Sequence, residues 1–413
     1  MSDVKRTVLD AFRRRQHDLV DLCAKLVRIP SENPPGDTTR IAEVVDAYLG
    51  KRGIPTKVYE PRKRMPNVVG TIGTGRRTLV LASHLDEFPA GGGWTVPPFS
   101  GLIKRGRVIG RGVGDMRAGI AVSLFAAGLL CDLDVDLGGR LTLAFASDEE
   151  TGGVWGTQWL LKHVPAVRGE ACLIGESTGT WSVGIGEKGV LWLRLTASGV
   201  SGHAAYAQGE SAVGKILEAL EVIQSITGAK GQAAAEVARV IRAQRPVAER
   251  GWGPGTGKLA DRLSVNVGTI RGGGQVNLIP AAAEAEVDFR LPPGLATTAL
   301  LSRLSGALRA KHLGSVTVEV LNQCESYVTS PGERIVRATV ENAQRLCGLR
   351  ALPVVRLGYT DGRFFRRAGI PTVVYGPRVQ GMGGPDESIE IRELLQVATV
   401  HLGVIVDVLG VQG

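Results

Sequence analysis

Apolar positions along the chain follow two periods. In DVKRTVLDAFRRRQHDLVDLCAKLV they recur every three or four residues, which predicts one amphipathic helix from near Asp3 to Val27. RIPSENPPGD then breaks the pattern with proline and glycine, and a second helix is expected over about Thr38 to Arg52. NVVGTIG and TLVLASH are short apolar runs of the kind that form buried strands, and a Gly/Pro-rich loop follows from Glu87 to Asp115. AGIAVSLFAAGLL reads as a buried helix. RLTLAFASDEE is a strand ending in carboxylates, and ACLIGEST repeats that arrangement. Strands alternating with helices predict an α/β fold: a mixed, mostly parallel sheet with helices on both faces.

Between about Lys188 and Gln323 the pattern changes. GVLWLRLTASG is a strand and Ser211 to Ile226 a helix; RLSVNVGTI and AAAEAEVDFRL alternate cleanly as strands. A helix near Leu295 to Lys311 and the strand SVTVEVL complete the order β-α-β-β-α-β of a ferredoxin-like α+β module. GAKGQAAAEVARVIRAQRPVAERGWGPGTGKLAD interrupts it, with one short helix and a flexible tail expected. The helix-strand pattern then resumes through IPTVVYGP to a final helix. The expected organisation is a discontinuous domain, residues 1–185 and 325–413, with the module inserted at 186–324.

Composition narrows the classes. The 413 residues are 44% hydrophobic and 22% charged, ordinary for a globular protein. The net charge of +9 is scattered, and aromatic residues are only 5%, so stacking platforms for bases are few and no nucleic-acid partner is expected. Attraction of a small anionic substrate is a better use of the charge. Five cysteines, widely spaced and without a CxxC, indicate neither a thiolate zinc site nor a disulfide framework. The charged, helical N-terminus does not read as a secretion signal, and no uninterrupted apolar run reaches membrane-spanning length. A cytoplasmic enzyme with no membrane partner is the expectation.

The chemistry gathers where strands end. His84 and Asp86 follow one strand, Asp148, Glu149 and Glu150 another, Glu176 a third, and Asp115 opens the buried helix. In an open parallel sheet, ligands bind beyond the carboxyl ends of the strands. Each residue alone has a bland reading: a structural histidine, a helix N-cap at Asp115, solvated loop charges. Together, four anionic segments converging on one place would repel without a cation. Imidazole with carboxylates suits zinc or manganese.

SHLDEFPAGGGWTVPPFSG, GRGVGDMRAG, FASDEETGG, GES and GVSGHAA also stand in the order found in the dinuclear metal exopeptidases and deacylases. That family includes acetylornithine deacetylase, succinyl-diaminopimelate desuccinylase, aminoacylase and the glutamate-releasing carboxypeptidases. The resemblance spans nearly the whole chain, including NPPGD, GGGQVNLIP and GYTDGRFFRRAGIPTVVYGP. It implies that His84 and Glu176 hold one metal, that Asp115 is shared between two, and that Glu150 serves the second. Asp86 would hold the His84 imidazole, and Glu149 would be the general base. The inserted module would be a lid and dimerisation domain in a homodimer or higher oligomer. His203 would reach the neighbouring subunit's site to stabilise an oxyanion, and Asn277 would contact substrate.

The family pattern breaks near the C-terminus, where a loop reading roughly H-x-x-x-E supplies a ligand to the second metal. In YGPRVQGMGGPDESIE the position four before Glu387 is Gly383, and the one histidine after His312, His401, lies in the last helix. The expectation is therefore one tightly bound ion per chain, with Asp386 or a water as the alternative replacement ligand. Three chemistries remain open. A remodelled site leans toward release of ammonia from an activated aromatic amine, as in the family's divergent nitroanthranilate aminohydrolase, with Arg378, Arg290 and Asn277 holding the distant charge. The alternative is amide hydrolysis of N-acyl amino acids or dipeptides. The third is a non-catalytic binding protein on the same fold.

Overall fold

The protein is described from a computed structural model, over residues 2–206 and 209–411. The single N-terminal helix expected from periodicity is two, α1 (Asp3–Arg14) and α2 (Gln16–Val27). Arg15 leaves helical geometry at φ −118° and ψ 21°, and its side chain bonds to Asp18 and Asp132. Buried Val8, Phe12, Leu19, Cys23 and Leu26 keep one helical phase across the break, so hydrophobic spacing alone cannot reveal it.

There follow α3 (Thr39–Gly50), β1 (Thr56–Tyr59), β2 (Asn67–Ile72), β3 (Thr78–His84) and a hairpin of β4 (Leu102–Lys104) and β5 (Arg107–Ile109). Next come α4 (Ala118–Asp132), β6 (Arg140–Ala146), α5 (Thr157–His163), β7 (Ala171–Ile174) and β8 (Ser182–Glu187). Residues Ala118 to Leu130 of α4 are all buried, as their unbroken apolar sequence requires. The stretch Val113–Asp132, mean hydropathy 1.5, is after all long and apolar enough to cross a membrane, but 94% of it is buried within the fold as a core helix.

The chain divides into two compact units, Met1–Gly186 with Thr329–Val354 and Thr360–Gly413, and Glu187–Val328 with Val355–Tyr359. The second unit contains β9 (Gly189–Ser198), α6 (Ala212–Ile226), α7 (Ala235–Trp252), β10 (Ser264–Gly272), β11 (Ala282–Leu291), α8 (Thr297–Ala310) and β12 (Thr317–Cys324). Its antiparallel sheet has the order β10-β11-β9-β12, the ferredoxin-like arrangement. Leu191, Leu193 and Leu195 of β9 pack with Ile216 and Ile223 of α6 and Leu304 of α8. The interrupting segment is not a short helix with a loose tail. The 18-residue α7 runs through Pro246, and Glu249 accepts bonds from the amides of Gly255 (2.7 Å) and Gly257 (2.9 Å). Gln244 bonds to the main chain of Val355 in both directions, at 2.9 and 2.7 Å, which ties Val355–Tyr359 to this unit.

The first unit closes with α9 (Arg334–Cys347), β13 (Leu352–Arg356, whose last two residues belong to the second unit), α10 (Gly362–Arg367), β14 (Thr372–Val374), β15 (Val379–Gln380), β16 (Ser388–Glu390) and α11 (Ile391–Leu409). Its main sheet has the order β1-β2-β6-β3-β7-β14-β8-β13. The centre is parallel, with β3 between β6 and β7 and β14 beside β7; β2–β6 and β14–β8 are antiparallel. Val80 and Ala82 of β3 pack toward Leu160 and Phe365 of α5 and α10, while α4 and α11 lie against the other face. This is an α/β fold with helices on both faces of a mixed, mostly parallel sheet.

Candidate metal centre

The parallel centre of the sheet delivers three strands side by side. His84 ends β3, the Asp148–Glu150 turn follows its neighbour β6, and Glu176 follows its other neighbour β7. Asp115 arrives from the turn before α4, whose start must come close to β7. Gly119 and Gly175 permit this: a Cβ on Gly119 would stand 2.7 Å from the Gly175 carbonyl oxygen. Larger residues there would push Asp115 away from Glu176.

His84, Asp115 and Glu176 each offer one ligand atom, and these atoms lie within 4.8 Å of one another. His84, Glu149 and Glu150 form a second such group. The His84 Nε2 is 2.9 Å from Asp115 Oδ1, and its Nδ1 is 3.0 Å from the Asp86 carbonyl and 3.5 Å from Asp86 Oδ1. Asp86, fully buried, accepts the Glu149 amide on Oδ1 (3.1 Å) and the Glu150 amide on Oδ2 (3.0 Å). It thus holds the turn of both glutamates as well as the imidazole.

Charge in the cluster is unbalanced. Burial alone would depress the His84 pKa, but hydrogen bonds to Asp115 and Asp86 raise it well above the usual value. Burial raises Glu149 well above an ordinary carboxylate, against the opposing effect of His84 and Arg363. Burial, then Asp115 and Glu149, pushes Glu150 up to about 11. Glu149 Oε1 and Glu150 Oε1 are buried and accept no hydrogen bond among the described residues. Orphaned carboxylate oxygens facing an imidazole are what a divalent cation would satisfy, so these donors fit a metal.

The other expected residues have the following surroundings. Asp386 turns both oxygens to Thr95, accepting its amide at 3.0 Å and its hydroxyl at 2.9 Å, which does not suit the replacement-ligand alternative. Gly383, at φ +72°, has nothing within 4 Å of where a Cβ would sit. Its carbonyl accepts from buried Arg111 (3.0 Å), which also binds Glu387 (2.7 Å); Glu387 in turn accepts the Gly114 amide (3.0 Å) beside Asp115. Arg378 is exposed and lies over the Trp181 ring at 5.7 Å. In the second unit, Arg290 bonds to Asp288 (2.9 Å) and lies over Tyr359 (5.0 Å). His203 and Asn277 are brought together there: His203 bridges to Leu278, and the Asn277 carbonyl accepts the Ala204 amide at 3.0 Å.

Sequence reasoning assigns no role to Asn33, Asp361 or Arg363, although NPPGD and GYTDGRFF hold all three but none of their distant partners. Arg363 stands 3.6 Å from Glu149 Oε1. Asp361 accepts the Thr157 hydroxyl at 2.5 Å, and burial raises its pKa to about 6.

Comparisons with known proteins identify the family. The model of Peptidase family M20/M25/M40 matches residues 80–407. Succinyl-diaminopimelate desuccinylase of Rhodospirillum centenum is 28% identical over 398 residues, covering 93% of this chain and 95% of its own. The M20 family metallo-carboxypeptidase Sso-CP2 from Sulfolobus solfataricus superposes with a TM-score of 0.79 at 19% identity, over 94% of this chain and 98% of that one. The Bacillus subtilis YXEP protein, a dinuclear metal binding peptidase, does so with a TM-score of 0.62 at 16% identity, over 96% and 99%. These last two likenesses concern the fold. A family match running from the strand that carries His84 to the final helix spans the catalytic framework: the chain belongs to Peptidase family M20/M25/M40 and is a divalent-metal enzyme that hydrolyses C–N bonds in small substrates.

Proposed function

We propose that the protein is an amidohydrolase or exopeptidase that cleaves an amide bond in a small carboxylate-bearing molecule, an N-acyl amino acid or a dipeptide. The observation that carries this is the group of buried His84 and Glu176 with half-buried Asp115, beside the Glu149–Glu150 turn. Ammonia release from an aromatic ring leaned on Arg378 and Arg290 as holders of distant charge. Both are engaged with other side chains, and the desuccinylase and carboxypeptidase relatives are named for amide cleavage.

His84, Asp115 and Glu176 would hold a zinc or manganese ion, with Glu150 available to a second. When bound, the ion would polarise the scissile carbonyl and acidify the attacking water. Glu149 accepts the proton from that water and returns it to the leaving amine. Asp86 holds the imidazole in the tautomer that presents Nε2 to the metal. His203 and Asn277, in a lid and dimerisation module, contact the substrate of a homodimer's active site. Five widely spaced cysteines, with no disulfide among the described residues, suit a cytoplasmic location.

One ion is held tightly, because Gly383 offers no donor where the family's second site has a histidine; the dinuclear B. subtilis relative sets the contrary expectation. After extensive dialysis, elemental analysis should give about one equivalent, and two tight equivalents would refute the single-ion reading. The reaction is tested by presenting the metal-loaded protein with N-acyl amino acids, dipeptides and aminobenzoates. Amine release from an amide without ammonia from the aromatic amines supports the proposal. Ammonia from a ring-activated aminobenzoate, with every amide intact, overturns it.

A further inference from the structure

The Asp86 carboxylate lies at the centre of the site, and one of its partners comes from far away in sequence. Asn33, buried in the loop after α2, donates through Nδ2 to Asp86 Oδ2 at 2.9 Å. The same nitrogen is 3.0 Å from Thr151 Oγ1, at the end of the turn that carries Glu149 and Glu150. The Asn33 main chain is fixed independently: its amide donates to the Glu87 carbonyl at 2.8 Å, and Glu32 pairs with Glu87 as a parallel bridge. A rigid loop therefore presents one amide group to two parts of the site at once.

We propose that Asn33 is a positioning residue that acts through Asp86. Both N–H bonds of its amide are used, one on the carboxylate that orients His84 and one on the turn of Glu149 and Glu150. Asp86 has only two oxygens for four partners: Asn33, the Glu149 and Glu150 amides and the His84 imidazole. The Asn33 bond sets the rotation of the carboxylate, and that rotation decides whether Oδ1 reaches the imidazole while both turn amides stay bonded. Without it, the carboxylate can follow the backbone amides, leaving the ring to the Asp86 main-chain carbonyl alone. Outer partners of this kind typically change metal affinity or activity about 10- to 100-fold. Asn33 stands behind Asp86 and touches no substrate, so the loss falls on kcat and on the metal, with KM little changed.

The inference rests on the metal-site reading above, and its test reads the metal as well as turnover. Asn33→Leu keeps the volume and removes both donors; Asn33→Ala removes the volume as well. Each is loaded with cobalt(II), and its visible absorption, metal affinity and thermal midpoint are compared with those of the unaltered protein. Both variants should shift the cobalt bands and lose about 10- to 100-fold in affinity or kcat. Asn33→Leu combined with Asp86→Asn should cost little beyond Asp86→Asn alone, since the two act through one carboxylate. Unaltered cobalt bands, additive losses in the double variant, or failure of both single variants to fold would overturn the proposal, the last because Asn33 would then be a structural residue. If the protein proves to cut a different C–N bond, the cobalt and double-variant results stand unchanged.

Discussion

The loop that carries Asp86 is fastened by a buried ion pair, and breaking it should destabilise the first unit in a way that can be worked out. Arg117 and Glu87 are both fully buried and 3.0 Å apart. Arg117 also donates to the carbonyls of Leu85 (2.7 Å) and Ile29 (3.3 Å) and to the Ser31 hydroxyl, while Glu87 accepts the Ser31 amide at 2.8 Å. Arg117→Met keeps most of the side-chain volume but leaves the Glu87 carboxylate with no cation. Removing one partner of a buried pair costs about 3–5 kcal/mol. For a unit of this size each kcal/mol lowers the melting midpoint by about 2–4 °C, so a drop of about 6–20 °C is expected by calorimetry at neutral pH.

The sign with pH follows from Glu87, whose pKa is already raised by burial despite Arg117. A carboxylate with a raised folded-state pKa loses stability as pH rises, so the penalty of Arg117→Met should grow from acid toward neutral pH. Adding Glu87→Gln removes the stranded charge, keeps an acceptor for the Ser31 amide and offers an NH2 to the freed carbonyls. The double variant should recover more than half of the loss. A melting drop below about 2 °C for Arg117→Met, or no recovery in the double variant, would refute the reasoning.

Glu149→Gln should lower turnover at least about a hundredfold with metal content near normal, and full activity would remove Glu149 as the base. His401, buried in α11 with Nε2 2.8 Å from the Tyr375 carbonyl, has its pKa depressed to about 4 by burial. Its contribution to stability is complete above the unfolded value near 6.5 and is lost as pH falls toward 4, by about 3 kcal/mol. His401→Gln should flatten that part of the stability profile in denaturant titrations, and an unchanged slope would exclude this histidine as its source.

What the sequence reveals depends on whether a residue's role is local. A strand that ends in carboxylates is visible because strand, end and acid are contiguous, as in RLTLAFASDEE; repeated on neighbouring strands, it locates His84, Glu149 and Glu176 before any fold is known. The break at Arg15 is invisible because the buried stripe stays in phase across it. The length of α7 is hidden behind Pro246 and the glycines that follow, since the contacts that sustain the helix, Gln244 with Val355 and Ile241 with Ala260, are made with distant residues. For Arg378 and Arg290 the sequence shows the charge but not its neighbours, which in the fold are Trp181 and Asp288.

The same distinction explains how the site is assembled. Strand geometry alone places three acidic ends side by side, but a strand end does not fix a side chain. The fixing is done by groups from other parts of the chain: Asp86 on the Glu149–Glu150 turn, Asn33 on Asp86, and Arg111 with Glu387 on the amide of Gly114 next to Asp115. These buried polar groups are costly in isolation and worthwhile only when each is satisfied. Glu149 Oε1 and Glu150 Oε1 are among the buried atoms that find no hydrogen-bond partner among the described residues, and their side chains belong to the cluster around His84. Two buried acid oxygens left without a donor beside one imidazole favour reading the cluster as a prepared cation site over a group of solvated acids.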